Sequence, residues 1–208
     1  MKTSCFLLTF LALAAIAMPA GIKEPKTGVA FQETAQMDGK TFLLSGAGLK
    51  TKYLFKVYAE ALYLESSVKG DLASFRNQAA NPGPQAFEAV IHGNFSKLFV
   101  LHFVRNAGYE RIQGAFKDGL KLTMNVDAPD VKADVEAFLR SFKDDVLNGQ
   151  ELKIYVEKEQ VSVISPSGTI TVIKNAKIAL GTSQCWLGKK AEQQDLRHNL
   201  LNRLSAIL

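Results

Sequence analysis

Between Ala107 and Val146 the apolar residues follow a helical period, which returns at Leu196 to Leu208. Tyr109, Ile112, Phe116 and Leu120 recur three or four residues apart, which gives a helix over 107–124 one apolar face. Val131, Val135, Phe138, Leu139, Phe142 and Val146 repeat the pattern, with Asp127 as the expected N-cap and Asp130 in the first turn. The flanking segments read as strands: Val29 to Met37, Thr41 to Leu44, Lys52 to Leu64, Phe87 to His92 and Leu98 to Val104 before the helices, then Leu152 to Val156, Val161 to Val163 and Thr169 to Ile173 after them. Leu196, Leu200, Leu204 and Leu208 lie four apart and predict one terminal helix. Strands, two helices, strands and a helix exclude an all-α chain, an all-β chain and a regular βαβ alternation. That order specifies an α+β domain on a mostly antiparallel sheet.

Turn residues punctuate these segments. Asp38-Gly39 is a hairpin signal, Pro82-Gly83-Pro84 marks a loop over Asn81 to Gln85, and Ser165-Pro166-Ser167-Gly168 reverses the chain before Thr169. Asp71 is the expected cap of a short helix over Leu72 to Arg76, and a bend or bulge is expected near Glu60. Gly188 reads as a helix C-terminal turn, and residues 21–27 as a mobile leader.

The first twenty residues have the plan of a secretory signal peptide. Lys2 precedes an apolar run from Phe6 to Ala17, followed by small residues and a proline. Cleavage is expected after Ala20, with Ala17 as the alternative, leaving a single domain over 21–208; an N-terminal structural helix is the competing reading. No later segment offers about eighteen consecutive apolar residues, so no transmembrane segment is expected after cleavage. Cys185 is then the one cysteine left, which rules out an internal disulfide, and its apolar neighbours mark it as a buried small hydrophobe. The net charge of +5 is modest, and no arginine stripe with paired aromatics points to nucleic acid.

Motifs for chemistry are sparse. His92, His102 and His198 lack the spacing of a zinc site, no GxSxG elbow occurs, and no metal or cofactor is expected. Gly46 and Gly48 form GxG without the third Rossmann glycine and before a strand, so Gly46 is expected to permit a tight turn or bulge. What remains is a cationic and aromatic set: Lys50, Lys56, Arg105 and Arg111 with Tyr58, Tyr63 and Tyr109. Such residues can fix a carboxylate while apolar walls hold its hydrocarbon body. For Tyr109, its place on the Ile112, Phe116 and Leu120 stripe favours core packing over a ligand role.

The run "LLSGAGLKTKYLFKVYAEALYLES" resembles the opening sheet motif of the chalcone isomerase-like family, especially its secreted bacterial branch. "FVLHFVRNAGYERIQGAFKDGL", "SPSGTITVIKN" and "CWLGKKAEQQDLRHNLL" extend the resemblance from Leu43 to Leu201. It implies a large antiparallel sheet packed against helices, with a ligand cleft between them. Plant members close chalcones to flavanones or bind fatty acids. By this resemblance the arginine that steers the phenolate becomes Lys50, a threonine that polarises the ketone becomes Tyr58, and the family tyrosine falls on Tyr109. The polar residues after that tyrosine become Ile112 and Phe116, and two C-terminal polar ligands become Ala179 and Leu180.

Three functions follow as expectations. The first is an exported, periplasmic or extracellular, non-catalytic protein that binds a small hydrophobic anion such as a fatty acid, with Lys50, Tyr58 and Tyr109 as ligand-binding residues. The second is a cofactor-independent isomerase or intramolecular lyase acting on an enone or phenolic acid, in which Lys50 positions or stabilises an oxyanion and Tyr109 serves as hydrogen-bond donor or acid. The third is a structural or protein-interaction module whose cleft is filled by Phe116 and Leu120.

Overall fold

The computed structural model describes residues 21–76 and 82–208; the leader and its cleavage site lie outside the described residues. Among the described residues nine strands run in chain order as β1 (Ile22–Lys23), β2 (Ala30–Phe31), β3 (Thr34–Met37), β4 (Lys40–Lys52), β5 (Phe55–Glu65), β6 (Lys97–Phe103), β7 (Glu151–Val156), β8 (Val161–Ile164) and β9 (Ile170–Ile173). Strands β3 to β9 form one seven-stranded antiparallel meander in sequence order, and β1 and β2 form a separate ribbon. The helices are α1 (Val68–Asp71), α2 (Pro84–His92), α3 (Tyr109–Thr123), α4 (Lys132–Arg140), α5 (Ala176–Leu187), α6 (Gln194–Asn199) and α7 (Leu204–Ile207). This is the expected α+β architecture, a large antiparallel sheet with helices packed against it.

Strand alternation gives the sheet two buried faces. Leu62 and Leu64 of β5, Phe99, Leu101 and Phe103 of β6, and Leu152, Ile154 and Val156 of β7 join the helices in the main core. Phe42, Leu44, Ala59, Ala61, Tyr63, Leu98, Val100 and Tyr155 form a second cluster on the other face, covered by Phe31 and its ribbon.

Several local expectations are corrected. Residues 21–27 are not a free leader: β1 pairs with β2, and Glu24 is buried, accepting hydrogen bonds from the backbone and hydroxyl of Thr27. The strand expected over Val29 to Met37 divides between β2 and β3. Phe87 to His92 is helix, because Pro84 sits at its first turn and Ala86, Phe87, Val90 and Ile91 make one helical face. The loop expected through Gln85 therefore ends before Pro84. The helix expected after Asp71 comes earlier, as α1, followed by a 3-10 turn over Ala73–Phe75. Asp127 does not cap α4, whose N-cap is Val131. The terminal leucine ladder is two short helices, and Leu196, Leu200 and Leu204 are all buried. Asp38 (φ 50°) and Gly39 (φ 69°) make the expected hairpin turn. Gly188 is the C-cap of α5, its amide bonded to the Gln184 carbonyl.

The GxG segment is interior to β4. A register shift falls between Leu44 and Gly46, as expected for a bulge, and a second between Lys50 and Thr51; Glu60 itself is regularly paired with Gly48 and Leu101. Strand β3 covers β4 only as far as Leu43, so the rest of that edge is open to another partner. The C-terminal segment fills the role. A Cβ at Gly46 would lie 2.1 Å from the Asn199 carbonyl oxygen, so only glycine allows the two backbones to meet there. Ser45 donates to the Leu200 carbonyl at 2.8 Å, the Arg203 amide donates to the Ser45 carbonyl at 2.9 Å, and the Gln193 amide group bridges Leu49 and Thr51 as a strand would.

Candidate functional site

The end of the helix–sheet layer near the β4–β5 hairpin collects the polar groups. Lys50 and Tyr58 are directly paired, so their side chains share the helix-facing side of the sheet. The Lys50 ammonium lies 2.6 Å from Glu192 in the α5–α6 connection, and Lys52 holds the other oxygen of the same carboxylate at 2.6 Å. The Lys50 side chain is only 17% exposed, whereas Glu192 is half in solvent. Hydrogen bonds from Lys50 and then Lys52 pull the Glu192 carboxyl down to about 2.

Tyr58 is half-buried, its ring 5.3 Å from that of Phe103 and its hydroxyl beside Trp186. Burial pushes its phenol well above the usual range, and the neighbouring Glu60 adds to the shift. Tyr109 is set apart. It opens α3 with 39% exposure, its amide donates to Asp145, and its hydroxyl donates to Glu110. It is therefore not a core residue: at the first helical position its side chain precedes the buried Ile112, Phe116 and Leu120 face. Lys50 and Tyr58 are brought together; Tyr109 shares no partner with either.

Glu60 was overlooked in the sequence as a site residue. It follows Tyr58 by two positions, which places it on the same face about 7 Å further along β5. Its exposure is 0%, and neither carboxylate oxygen has a hydrogen-bond partner among the described residues. Burial raises its carboxyl well above the usual carboxylate range, and Lys50 only partly opposes this. The available signal was a lone acid in the alternation Tyr58, Glu60, Leu62, Leu64.

Aromatic side chains occupy the remainder of the layer. Phe116 stacks on Phe142 at 4.3 Å and meets Phe138 and Trp186 edge-on, while Trp186 stacks on Phe99 at 4.5 Å. Two surface depressions of about 330 and 390 Å³ lie elsewhere, near Ser165 and near His92, and include none of Lys50, Tyr58 or Tyr109. Cys185 is half-buried rather than fully buried as expected, its sulfur beside Gly119, and desolvation pushes its thiol up to about 12. Native protein at mildly alkaline pH is accordingly expected to react with iodoacetamide at Cys185 far more slowly than denatured protein, and equal rates on peptide mapping would contradict the raised thiol.

The match to known sequences and structures fits this arrangement. Residues 24–202 match the family described as chalcone isomerase-like. The chain belongs to the chalcone isomerase-like family. Among solved structures of this fold, it is similar to the crystal structure of a fatty-acid-binding protein from Arabidopsis thaliana, with a TM-score of 0.71 and 16% identity. The likeness covers 90% of this chain and 98% of that one. Comparison with curated protein sequences gives no match. Chalcone isomerase-like architecture thus accounts for the large antiparallel sheet and the helices packed against it. No group of His, Cys, Asp and Glu among the described residues is arranged to hold a metal, and no described helix is long and apolar enough to cross a membrane.

Proposed function

We propose that this protein binds a hydrophobic carboxylate, a fatty acid in the first instance, with the head group at Lys50 and the hydrocarbon body in the aromatic helix–sheet layer. The observation that carries the reading is the Glu192 clamp: two lysines already hold a carboxylate at 2.6 Å at the rim of that layer. Glu192 is half exposed, so its ion pairs contribute only about 0–1 kcal/mol each and a ligand carboxylate can displace it. Displacement would free the α5–α6 connection and give access to Trp186 and Tyr58. Apolar surface for an arriving hydrocarbon chain stands next to the clamp, since Tyr53, Leu54 and Phe55 at the hairpin tip are 87%, 96% and 60% exposed. The fatty-acid-binding character of the similar plant protein supports the same reading.

The test is titration of delipidated protein with palmitate, followed by native mass spectrometry and by the fluorescence of Trp186, the single tryptophan. One bound acid and a saturable fluorescence change are expected. Lys50→Met should weaken binding roughly tenfold, the loss of one charge-assisted hydrogen bond, and Glu192→Gln should strengthen it by removing the competitor. A clean apo mass with no uptake would end the proposal. That outcome would favour a structural or interaction module, a reading supported by the filling of the layer with Phe116 and Phe142. An isomerase acting through Lys50 and Tyr109 has less support, because the two side chains have separate partners.

The reading also includes export. The N-terminal leader pattern and the resemblance to the secreted bacterial branch support a periplasmic location, and intact-mass measurement of the protein from its native cells would check it by a chain beginning after Ala17 or Ala20.

A further inference from the structure

The buried ionic groups of the core differ in one respect. Lys97 is buried, but its ammonium donates to the Gly93 and Phe95 carbonyls. Arg197 is buried, but its Nε donates to the Leu187 carbonyl and its guanidinium lies 3.6 Å over the Phe87 ring. Among the described residues Glu60 has no such partner for either oxygen. It lies on β5, which is hydrogen-bonded on both sides by β4 and β6, so no edge and no solvent reach it. A layer needing only to be packed would be better served here by leucine, as at Leu62 and Leu64.

We propose that Glu60 and Tyr58 form an inner head-group site, in which the Glu60 carboxyl donates its proton to an oxygen of a bound hydrophobic acid. This rests on the binding reading above and adds a second station to it. Lys50 captures the carboxylate at the rim, and Glu60, about 7 Å deeper along the same face, receives it as a carboxyl–carboxylate pair sharing one proton. Below the raised Glu60 value that proton is already on Glu60 when the ionised acid arrives, above it binding must take one from solvent, and in both cases loss of the shared proton releases the acid.

The groups facing Glu60 leave it as the one that titrates. From β4 there is Lys50, with Glu192 behind it; from its own strand, Tyr58; from α5, Cys185. Its β6 neighbour is Leu101. Burial moves Tyr58 and Cys185 upward, Cys185 to about 12. Affinity for an acid that is itself ionised should therefore fall by about tenfold per pH unit above the raised Glu60 value. Stability follows the same sign. A carboxyl whose folded value is raised contributes most below the ordinary glutamate range, and that contribution is lost as pH rises through the folded value.

The experiment measures laurate affinity and Tm across neutral and alkaline pH for the full chain, Glu60→Gln and Glu60→Leu. The natural chain should show the pH slope. Glu60→Gln, which keeps an amide donor, should bind with a flat profile. Glu60→Leu should lose at least tenfold in affinity while its Tm at alkaline pH rises. Undiminished binding by Glu60→Leu with the slope intact would overturn the inner site while leaving the rim site standing. A drop in Tm for both variants would show that Glu60 has a structural partner and would overturn it also. Failure of the natural chain to take up laurate or palmitate would overturn the binding reading itself, and the inner site with it.

Discussion

Gly46→Ala should destabilise the protein by about 3 kcal/mol or more, at the upper end of what overpacking a well-packed interior produces. The added carbon would stand 2.1 Å from the Asn199 carbonyl oxygen, 2.7 Å from the Leu200 carbon and 2.8 Å from the Leu200 oxygen. All three are backbone atoms, so no rotamer change relieves the overlap and the C-terminal segment must leave the edge of β4. At Gly48 the obstructing atoms are Leu196 Cδ1, the free end of a side chain that can rotate aside, and Asn199 Cβ, which is fixed to its backbone, both at 2.9 Å, so Gly48→Ala should be milder than Gly46→Ala but still destabilising. A Cβ at Gly70 meets nothing within 4 Å, and Gly70→Ala should change stability by only about 0.5 kcal/mol. Urea midpoints for the three variants test the ranking. A Gly46→Ala midpoint equal to that of Gly70→Ala would mean that the two backbones do not meet.

Removing the Phe116 ring is the second large effect. Phe116 is nearly buried and touches Phe138, Phe142 and Trp186, the last of which extends the cluster to Phe99 on the sheet. Phe116→Ala therefore removes both transfer free energy and three ring contacts, about 3–5 kcal/mol. For a chain of this size that lowers Tm by roughly 10 °C. Calorimetry provides the measurement. A fall of only a degree or two would show that the layer can collapse around the gap. Phe116→Leu, which refills most of the volume, should recover most of the loss.

Long periodic segments were legible in the sequence. The faces of α3 and α4, the strand β6 and the β8–β9 hairpin follow from spacing and turn chemistry alone. Phe87 to His92 was not, because a short apolar run fits a buried strand and a buried helix equally and only tertiary packing separates them. The continuation of β4 through two glycines was hidden for a related reason: those glycines answer to Asn199 and Leu200, about 150 residues away along the chain. The site divides in the same manner. Lys50 and Tyr58 were visible by composition and resemblance, and their pairing follows from the hairpin. The Glu192 partner of Lys50 lies in a distant loop, and nothing in local pattern announces it. Glu60 was visible as a letter, yet its meaning depends on the helices that close over it.

The glycine seam also decides how the layer can open. Where backbone rests on backbone there is no side chain to rotate aside, so β4 and the C-terminal segment behave as a fixed jaw. Facing them, α3 and α5 meet through Phe116 and Trp186, and α5 rests on the sheet through Trp186 on Phe99, ring contacts whose members can turn about their own bonds. An acid admitted past the Lys50 rim, as proposed, would therefore part rings rather than strands.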